Sequence, residues 1–162
     1  METTTPLTPE QQQFIERVGL YFEQYHLARI GGRLLGLLLL LDHPVGLGEM
    51  ADLLGVSRAS VSTNIRTTAD FGLTELISLP GDRRDYYQVG PEAWTQGLET
   101  RIEGTRQLRR IVERGLAATA PTGATAAHLR ELLDFCDFSI AEQIASLERW
   151  RARRVARPPN DS

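Results

Sequence analysis

The stretch that decides the fold runs from residue 46 to residue 72 and reads GLGEMADLLGVSRASVSTNIRTTADFG. Its apolar residues recur every three or four positions, as on the buried face of a helix. They are Met50, Leu53, Leu54, Val61 and Ile65. The break at Gly55-Val56 predicts two short helices, over residues 47–54 and 57–71, with Ser57 capping the second. A helix, a tight turn and a second helix make a helix-turn-helix.

The residues after Gly72 change period and predict a β-hairpin. Two apolar or aromatic runs flank the polar segment PGDRRD at residues 80–85. Two strands that follow the second helix of such a pair form a wing. The predicted fold class is therefore mainly α with a small β-hairpin wing, a winged helix-turn-helix lobe over residues 28–90.

Helices are also predicted before the motif. Thr8 and Gln11 have the spacing of a capping box, which opens a helix over residues 8–26. A second helix is expected from about residue 28 to residue 41, where Pro44 stops it. Its nearly uniform apolarity indicates that protein surrounds it.

Long helices are predicted after the wing. Pro91 restarts helix at its first position, the segment PTGAT breaks it, and a last helix begins near Thr125. Apolar residues repeat along that helix for about six turns. A stripe of this length usually packs against another long helix, and the whole chain, residues 1–162, is interpreted as a single domain.

The second helix of the motif has the side chains that a DNA-reading helix needs. Such a helix places its first turns against base edges in the major groove. The outward positions are polar or small, and none is acidic. The candidate DNA contacts are Ser57, Arg58, Ala59, Ser60, Ser62, Thr63 and Arg66. The arginines can reach a guanine edge or a phosphate, the hydroxyls suit phosphates, and Ala59 suits a thymine methyl. A solvated helix of another helical protein is the alternative.

The hairpin tip adds two further candidates, Arg83 and Arg84. A wing beside the second helix is placed to insert an arginine into the adjoining minor groove. An ordinary charged turn with two cancelling pairs is the alternative for this tip. The helix pair and the wing in the correct order favour DNA binding over both alternatives.

These segments resemble the MarR family of winged-helix regulators, and more closely its GbsR-like branch. The resemblance runs from about Phe14 to Tyr87 and rests on RVGLYFEQYHLARIGGRLLGLLLL, EMADLLGVSRASVSTNIR and LISLPGDRRDYY. It implies a homodimer formed by helices from both chain ends, here residues 8–26 and 91–154. It also implies that Arg84 is the wing contact with double-stranded DNA and that Asp82 orients it. Gly46 departs from the pattern, because a Ser or Thr cap is usual there.

The resemblance further implies a small-molecule effector that relieves repression at a pseudo-palindromic operator. Some GbsR-like regulators are similar to sensors of choline-type compounds, for which aromatic side chains would form the cage. The candidates for this pocket are Tyr21, Phe22, Tyr25 and Trp94, with Phe135 and Phe138 further along the chain. Packing in a core explains each of them equally well.

Composition narrows the function classes. The formal net charge of −3 and the pI near 5.6 keep one alternative open, a winged helix that binds another protein and no DNA. The apolar run from Leu34 to Leu41 is far short of the roughly 20 residues that a membrane span needs. The N-terminus lacks the features of a secretory signal, so we expect a cytoplasmic protein.

Residues 46–51, GLGEMA, match the dinucleotide fingerprint G-x-G-x-x-[GA], with Asp70 about 20 positions further on. A nucleotide-binding fold needs alternating strands and helices, whereas the segment that follows is polar and helical. The three histidines are too scattered to suggest a metal site. We therefore expect neither an enzyme nor a cofactor.

Two features near the C-terminus have both a structural and a functional interpretation. Cys136 lies on the apolar stripe of the last helix, which favours a buried structural cysteine over a redox sensor. Residues 149–157, RWRARRVAR, contain five arginines. These complement the dipole at a helix C-terminus, the interpretation that we favour, or contact the DNA flanks.

Overall fold

The computed structural model describes residues 6–156 and shows a mainly helical chain with a small antiparallel sheet. It divides between Ala93 and Trp94 into two compact units. The first unit contains α1 (Pro9–Gln24), α2 (Arg29–Leu38), β1 (Val45–Gly46), α3 (Leu47–Leu54), α4 (Arg58–Asp70), β2 (Glu75–Ile77) and β3 (Tyr86–Gln88). The remaining helices are α5 (Ala93–Ala117) and α6 (Ala124–Val155). The predicted fold class is confirmed, whereas the single domain over residues 1–162 stays a prediction.

Helix α1 begins with the predicted capping box. The Thr8 hydroxyl accepts a hydrogen bond from the Gln11 amide at 3.3 Å, and the Thr8 amide donates to Gln11 Oε1 at 2.9 Å. The face that α1 buries within the chain carries Ile15 and Gly19. Tyr21, in contrast, is 57% exposed. Some of the large apolar side chains of this helix therefore stay exposed to solvent in a single chain.

The core of the first unit is formed by α1, α2, α3, α4 and the sheet. Its largest fully buried apolar side chains are Ile15, Leu34, Leu37, Val45, Met50, Val61 and Ile65. Leu53 packs against this cluster at its edge. The apolar positions that the sequence assigned to the inner faces of the two motif helices are therefore confirmed.

Two predicted helix boundaries are wrong. Helix α2 ends at Leu38 instead of residue 41, because the Leu40 amide turns back to the Leu37 carbonyl at 3.0 Å and tightens the last turn. Helix α5 begins at Ala93, and Pro91 lies in the preceding turn, which the Ala93 amide closes by donating to the Gly90 carbonyl at 3.0 Å. Apolar composition carries no signal for either boundary.

The sheet has three strands where the sequence predicted a two-stranded hairpin. Its order is β1-β3-β2, and both pairings are antiparallel, with Val45 opposite Tyr87 and Leu76 opposite Tyr87 on the other side. The additional strand, β1, directly precedes α3 and so joins the wing to the first helix of the motif. Because its pairing is antiparallel, the GLGEMA segment begins a helix-turn-helix and not the parallel βαβ unit of a dinucleotide-binding fold.

The two helices of the second unit run antiparallel and are joined by polar contacts. Arg109 Nε lies 2.5 Å from Asp137 Oδ1, and Gln143 Nε2 donates to Thr105 Oγ1 at 3.2 Å. Cys136 is fully buried, as its position on the apolar stripe predicted. Other large apolar side chains of this unit stay exposed, namely Leu108, Ile111, Phe135 and Phe138.

The sequence analysis also made predictions about membrane spans, metal sites and the basic C-terminal segment. No helix among residues 6–156 is long and apolar enough to cross a membrane. In the same range, no cluster of three or more His, Cys, Asp or Glu side chains is placed to hold a metal ion. The basic end of α6 carries Arg153 and Arg154 in its last turn, whereas Arg157 lies outside the described residues.

Candidate nucleic-acid interface

The turn between α3 and α4 is built by a left-handed glycine and a side-chain cap. Gly55 has φ of 62°, a conformation that glycine adopts without strain. The Ser57 hydroxyl then accepts a hydrogen bond from the Ser60 amide at 3.1 Å. Ser57 is the predicted cap, and the predicted helix-turn-helix is confirmed. Gly46, at the corresponding position before α3, forms no side-chain cap.

Helix α4 is amphipathic in the sense that DNA binding requires. Val61 and Ile65 are fully buried and anchor its inner face. All seven predicted contact residues lie off that buried face. Ser57, Arg58, Ala59, Thr63 and Arg66 are exposed, and Ser60 and Ser62 are half-buried. The first turn contains no acidic residue, so nothing in it opposes the attraction of unpaired helical N–H groups for phosphate.

Arg58 lies across the first turn of α3. A Cβ added to Gly48 would be 3.8 Å from Arg58 Cζ and Nε, which places the guanidinium beside a position with no side chain. Asn64, also on α4, hydrogen-bonds within its own helix, because its Nδ2 donates to the Ser60 carbonyl at 2.8 Å. The missing side chain at Gly48 thus leaves Arg58 room to rest on α3.

Asp82 organises the wing tip. Its carboxylate accepts hydrogen bonds from the Arg84 amide at 2.9 Å, from Arg84 Nε and Nη2, and from Tyr86 Oη at 2.8 Å. The Arg84 guanidinium also lies 5.4 Å from the centroid of the Tyr86 ring. Hydrogen bonds from Arg84 above all hold the pKa of the Asp82 carboxyl well below its usual range. Asp82 is therefore ionised at any pH at which the protein would meet DNA.

The predicted relation between Asp82 and Arg84 is present in the structure, and Arg84 keeps most of its surface free. Its side chain is 73% exposed although Asp82 holds it on one edge. Arg83, next to it, is exposed as well. The tip turns at Gly81, whose φ of 80° suits glycine. The wing therefore presents two arginines to solvent, one of them held in a single orientation.

The aromatic residues proposed for an effector pocket fall into both units. Tyr21 on α1 and Tyr25 directly after it are exposed, with ring centroids 5.0 Å apart, and the Phe22 ring packs beside Gly32. Trp94, in the second unit, is 45% exposed. The effector pocket stays a prediction.

Two contacts that join the interface elements to the rest of the first unit were not predicted. Arg33 of α2 donates from Nη2 to the Leu54 carbonyl at 2.9 Å, while its Nε lies 2.6 Å from Glu16 Oε1. This guanidinium thereby braces the last carbonyl of α3, directly before the motif turn, against α1. The second contact is a hydrogen bond between Thr68 and Thr74, both buried. Neither contact has a signal in a single sequence, because each joins residues through the folded chain.

We expect Ser57→Ala to lower the free energy of unfolding by about 1 kcal/mol, the usual cost of removing a helix cap. Ser57→Asp preserves the cap, because aspartate also accepts the amide hydrogen bond, but it places a carboxylate where a phosphate would lie. Urea unfolding should therefore separate only Ser57→Ala from the wild type, whereas DNA titration should show the larger loss for Ser57→Asp. Equal stability of all three proteins would contradict the capping role.

Comparisons with known proteins agree with this geometry. The family model of an MmpR5-like MarR family transcriptional regulator matches residues 92–153. The chain is similar to the HTH-type transcriptional regulator MmpR5 of Mycobacterium tuberculosis, with 38% identity over 111 residues that cover 68% of this chain and 67% of that protein. Its fold is similar to the crystal structure of a transcriptional regulator, with a TM-score of 0.83 and 33% identity over 89% of this chain and 99% of the other.

Proposed function

Because this chain belongs to the MarR family of helix-turn-helix transcriptional regulators, we propose that it represses transcription as a homodimer bound to a pseudo-palindromic operator. The protein is a DNA-binding regulator with a winged helix-turn-helix. The observation that carries the proposal is the exposed, acid-free face of α4 beside an arginine that Asp82 holds at the wing tip. Repression follows when the bound protein occludes a promoter.

Each element of the interface has a separate role in this proposal. The first turns of α4 enter the major groove, where Arg58 and Arg66 reach guanine edges or phosphates. Ser57, Ser60, Ser62 and Thr63 suit phosphate contacts, which fix the register of the protein on the duplex. The clamped Arg84 enters the adjoining minor groove, and Arg83 lies near the backbone. In this proposal α4 reads the sequence and fixes the register, and the wing adds contacts in the adjoining minor groove.

The exposed apolar side chains support a homodimer. Four aromatic side chains are each more than half exposed in one chain, namely Tyr21 on α1, Tyr25 directly after α1, and Phe135 and Phe138 on α6. Exposed apolar surface of this kind marks an interaction site in a water-soluble protein. A two-fold dimer built from residues 8–26 and 91–154 would cover it and would present two copies of α4 about one DNA turn apart.

We also propose a small-molecule effector that binds near Tyr21, Phe22 and Tyr25. The GbsR-like resemblance of the sequence supports a quaternary ammonium compound, which aromatic faces bind through cation–π contacts. The effector would relieve repression by preferring a dimer whose α4 helices have a different spacing. A regulator of this kind acts where the chromosome is, so we propose a cytoplasmic location.

The rival function is a winged helix that binds another protein and no DNA. The net charge of −3 favours it, because DNA-binding domains usually carry a basic surface. Within the interface itself the balance is different, since the exposed charges of the first turns of α4 are Arg58 and Arg66. Local charge decides attraction to a phosphate within about 10 Å, so we favour DNA.

Selection from a random duplex pool tests the proposed function and identifies the operator in the same experiment. The purified protein is incubated with the pool at low and at high salt, and the bound fraction is sequenced after each round. We expect enrichment of a two-fold symmetric motif with half-sites about 10 base pairs apart, and affinity that falls steeply with salt. Light scattering should give the mass of a dimer. A folded dimer that enriches nothing at low salt would favour the protein-binding rival.

A further inference from the structure

The chain passes from α4 to the wing through a helix cap at Gly72 and Leu73. Gly72 has φ of 71°, its amide donates to the Ala69 carbonyl at 2.8 Å, and the Leu73 amide donates to the Thr68 carbonyl at 2.9 Å. These two bonds are the Schellman pattern that ends a helix and turns the chain. These bonds turn the backbone after α4 toward β2.

One residue beyond this cap, a side-chain bond ties the two elements together. Thr68 Oγ1 and Thr74 Oγ1 are 2.9 Å apart, and Thr68 Oγ1 donates to the Ile65 carbonyl at 2.8 Å. Since the single Thr68 proton points to that carbonyl, Thr74 is the donor between the two hydroxyls. Both side chains are buried, at 1% and 4% exposure. Water therefore has little access to compete for this bond.

We infer that Thr68 and Thr74 are positioning residues that set the angle of the wing relative to α4, and we name the pair the hydroxyl latch. The latch lies at the only chain connection from α4 to β2, and β2 pairs with β3, which directly follows the tip that carries Arg84. On the other side of Thr68, its methyl group lies 3.8 Å from a Cβ position on Gly31 of α2. The end of α4 that holds the wing is thus itself seated against the core.

The latch matters for DNA binding because α4 and Arg84 must contact one duplex at the same time. An arginine that is displaced by about 1 Å loses much of a charge-assisted hydrogen bond, whose strength depends on distance and angle. This consequence rests on the proposed function, in which α4 and Arg84 contact adjacent grooves. The mechanical role of the latch in the free protein does not depend on it.

Thr74→Val is the cleanest test, because valine has nearly the same shape and Thr68 keeps its bond to the Ile65 carbonyl. Thr67→Val is the matched control, because Thr67 is an exposed threonine of α4 directly before Thr68. In the free protein, hydrogen exchange of residues 75–88 should become about fivefold faster in Thr74→Val, the factor that one net hydrogen bond is worth, and should stay unchanged in Thr67→Val. Unchanged exchange in Thr74→Val would overturn the latch.

The DNA arm uses a double-mutant cycle with Arg84→Ala on the selected operator. We expect Thr74→Val to weaken operator affinity about fivefold in the wild-type background and to have no further effect in the Arg84→Ala background, since the arginine that the latch positions is then absent. An equal loss in both backgrounds would show general loosening of the lobe and overturn the positioning role. If the wild type binds no duplex, the proposed function fails, and the exchange result alone decides the latch.

Discussion

Replacing Arg58 and Arg84 together by alanine is expected to lower the affinity for operator DNA about a hundredfold or more. A bidentate or charge-assisted arginine contact is worth about 1–3 kcal/mol, and about 1.4 kcal/mol corresponds to a factor of ten. Arg58, the first residue of α4, lies beside Gly48 of α3, and Arg84 is held by Asp82 at the wing tip. The Arg84 guanidinium is therefore oriented before DNA arrives, and less side-chain entropy is lost when it binds.

Fluorescence anisotropy at two salt concentrations measures this loss and separates its parts. Phosphate contacts carry the salt dependence, so the slope of affinity against salt should become shallower by about one unit for each phosphate that the variant no longer neutralises. Arg101→Ala, an exposed arginine of α5, is the control for the loss of charge alone. An equal loss in the control would show that overall charge, and not these two positions, determines binding.

The contrast between the two arginines shows what a sequence can predict about this site. The outward face of α4 was predictable because helical period and the Ser57 cap are local properties of the chain. The contact between Asp82 and Arg84 at the wing tip was an implication of the family resemblance and not of the residues alone. The resting place of Arg58 was not predictable, since it depends on the absence of a side chain at Gly48, ten residues earlier and on another helix.

The missed features of the fold have the same physical origin. Strand β1 is two residues long and exists because Val45 pairs with Tyr87, more than forty residues away. A run so short has no period that distinguishes it from a loop. Likewise, the end of α2 at Leu38 has no breaker in the sequence, since the apolar run continues to Leu41. Tertiary contacts determine strand β1 and the end of α2, and the sequence pattern of a single segment does not reveal such contacts.

Gly32→Ala is expected to be the most damaging small substitution in the first unit. A Cβ at this position would lie 2.6 Å from the Val18 carbonyl oxygen, 2.8 Å from Phe22 Cγ and 2.9 Å from Gly19 Cα. Two of these three atoms belong to the backbone of α1, so no side-chain rotation relieves the overlap. Helix α1 must instead move away from α2. Overpacking of this kind costs about 1–3 kcal/mol and sometimes more.

The neighbouring glycine provides the matched control. A Cβ on Gly31 would meet its nearest atom, Thr68 Cγ2, at 3.8 Å, which is an ordinary contact. Alanine is also the better helix former by about 1 kcal/mol, so Gly31→Ala should leave stability unchanged or raise it. Both variants add one methyl group to the same helix and differ only in what that group meets.

Thermal unfolding at one fixed protein concentration compares the two variants, because association changes the apparent stability of a dimer. At about 2–4 °C per kcal/mol for a chain of this size, a cost of about 1–3 kcal/mol should lower the Tm of Gly32→Ala by about 2–12 °C. The Tm of Gly31→Ala should not fall below that of the wild type. The displaced α1 should also weaken the proposed dimer, since Tyr21 and Tyr25 move with it. Equal Tm values would mean that α1 and α2 do not approach as closely as their backbones indicate.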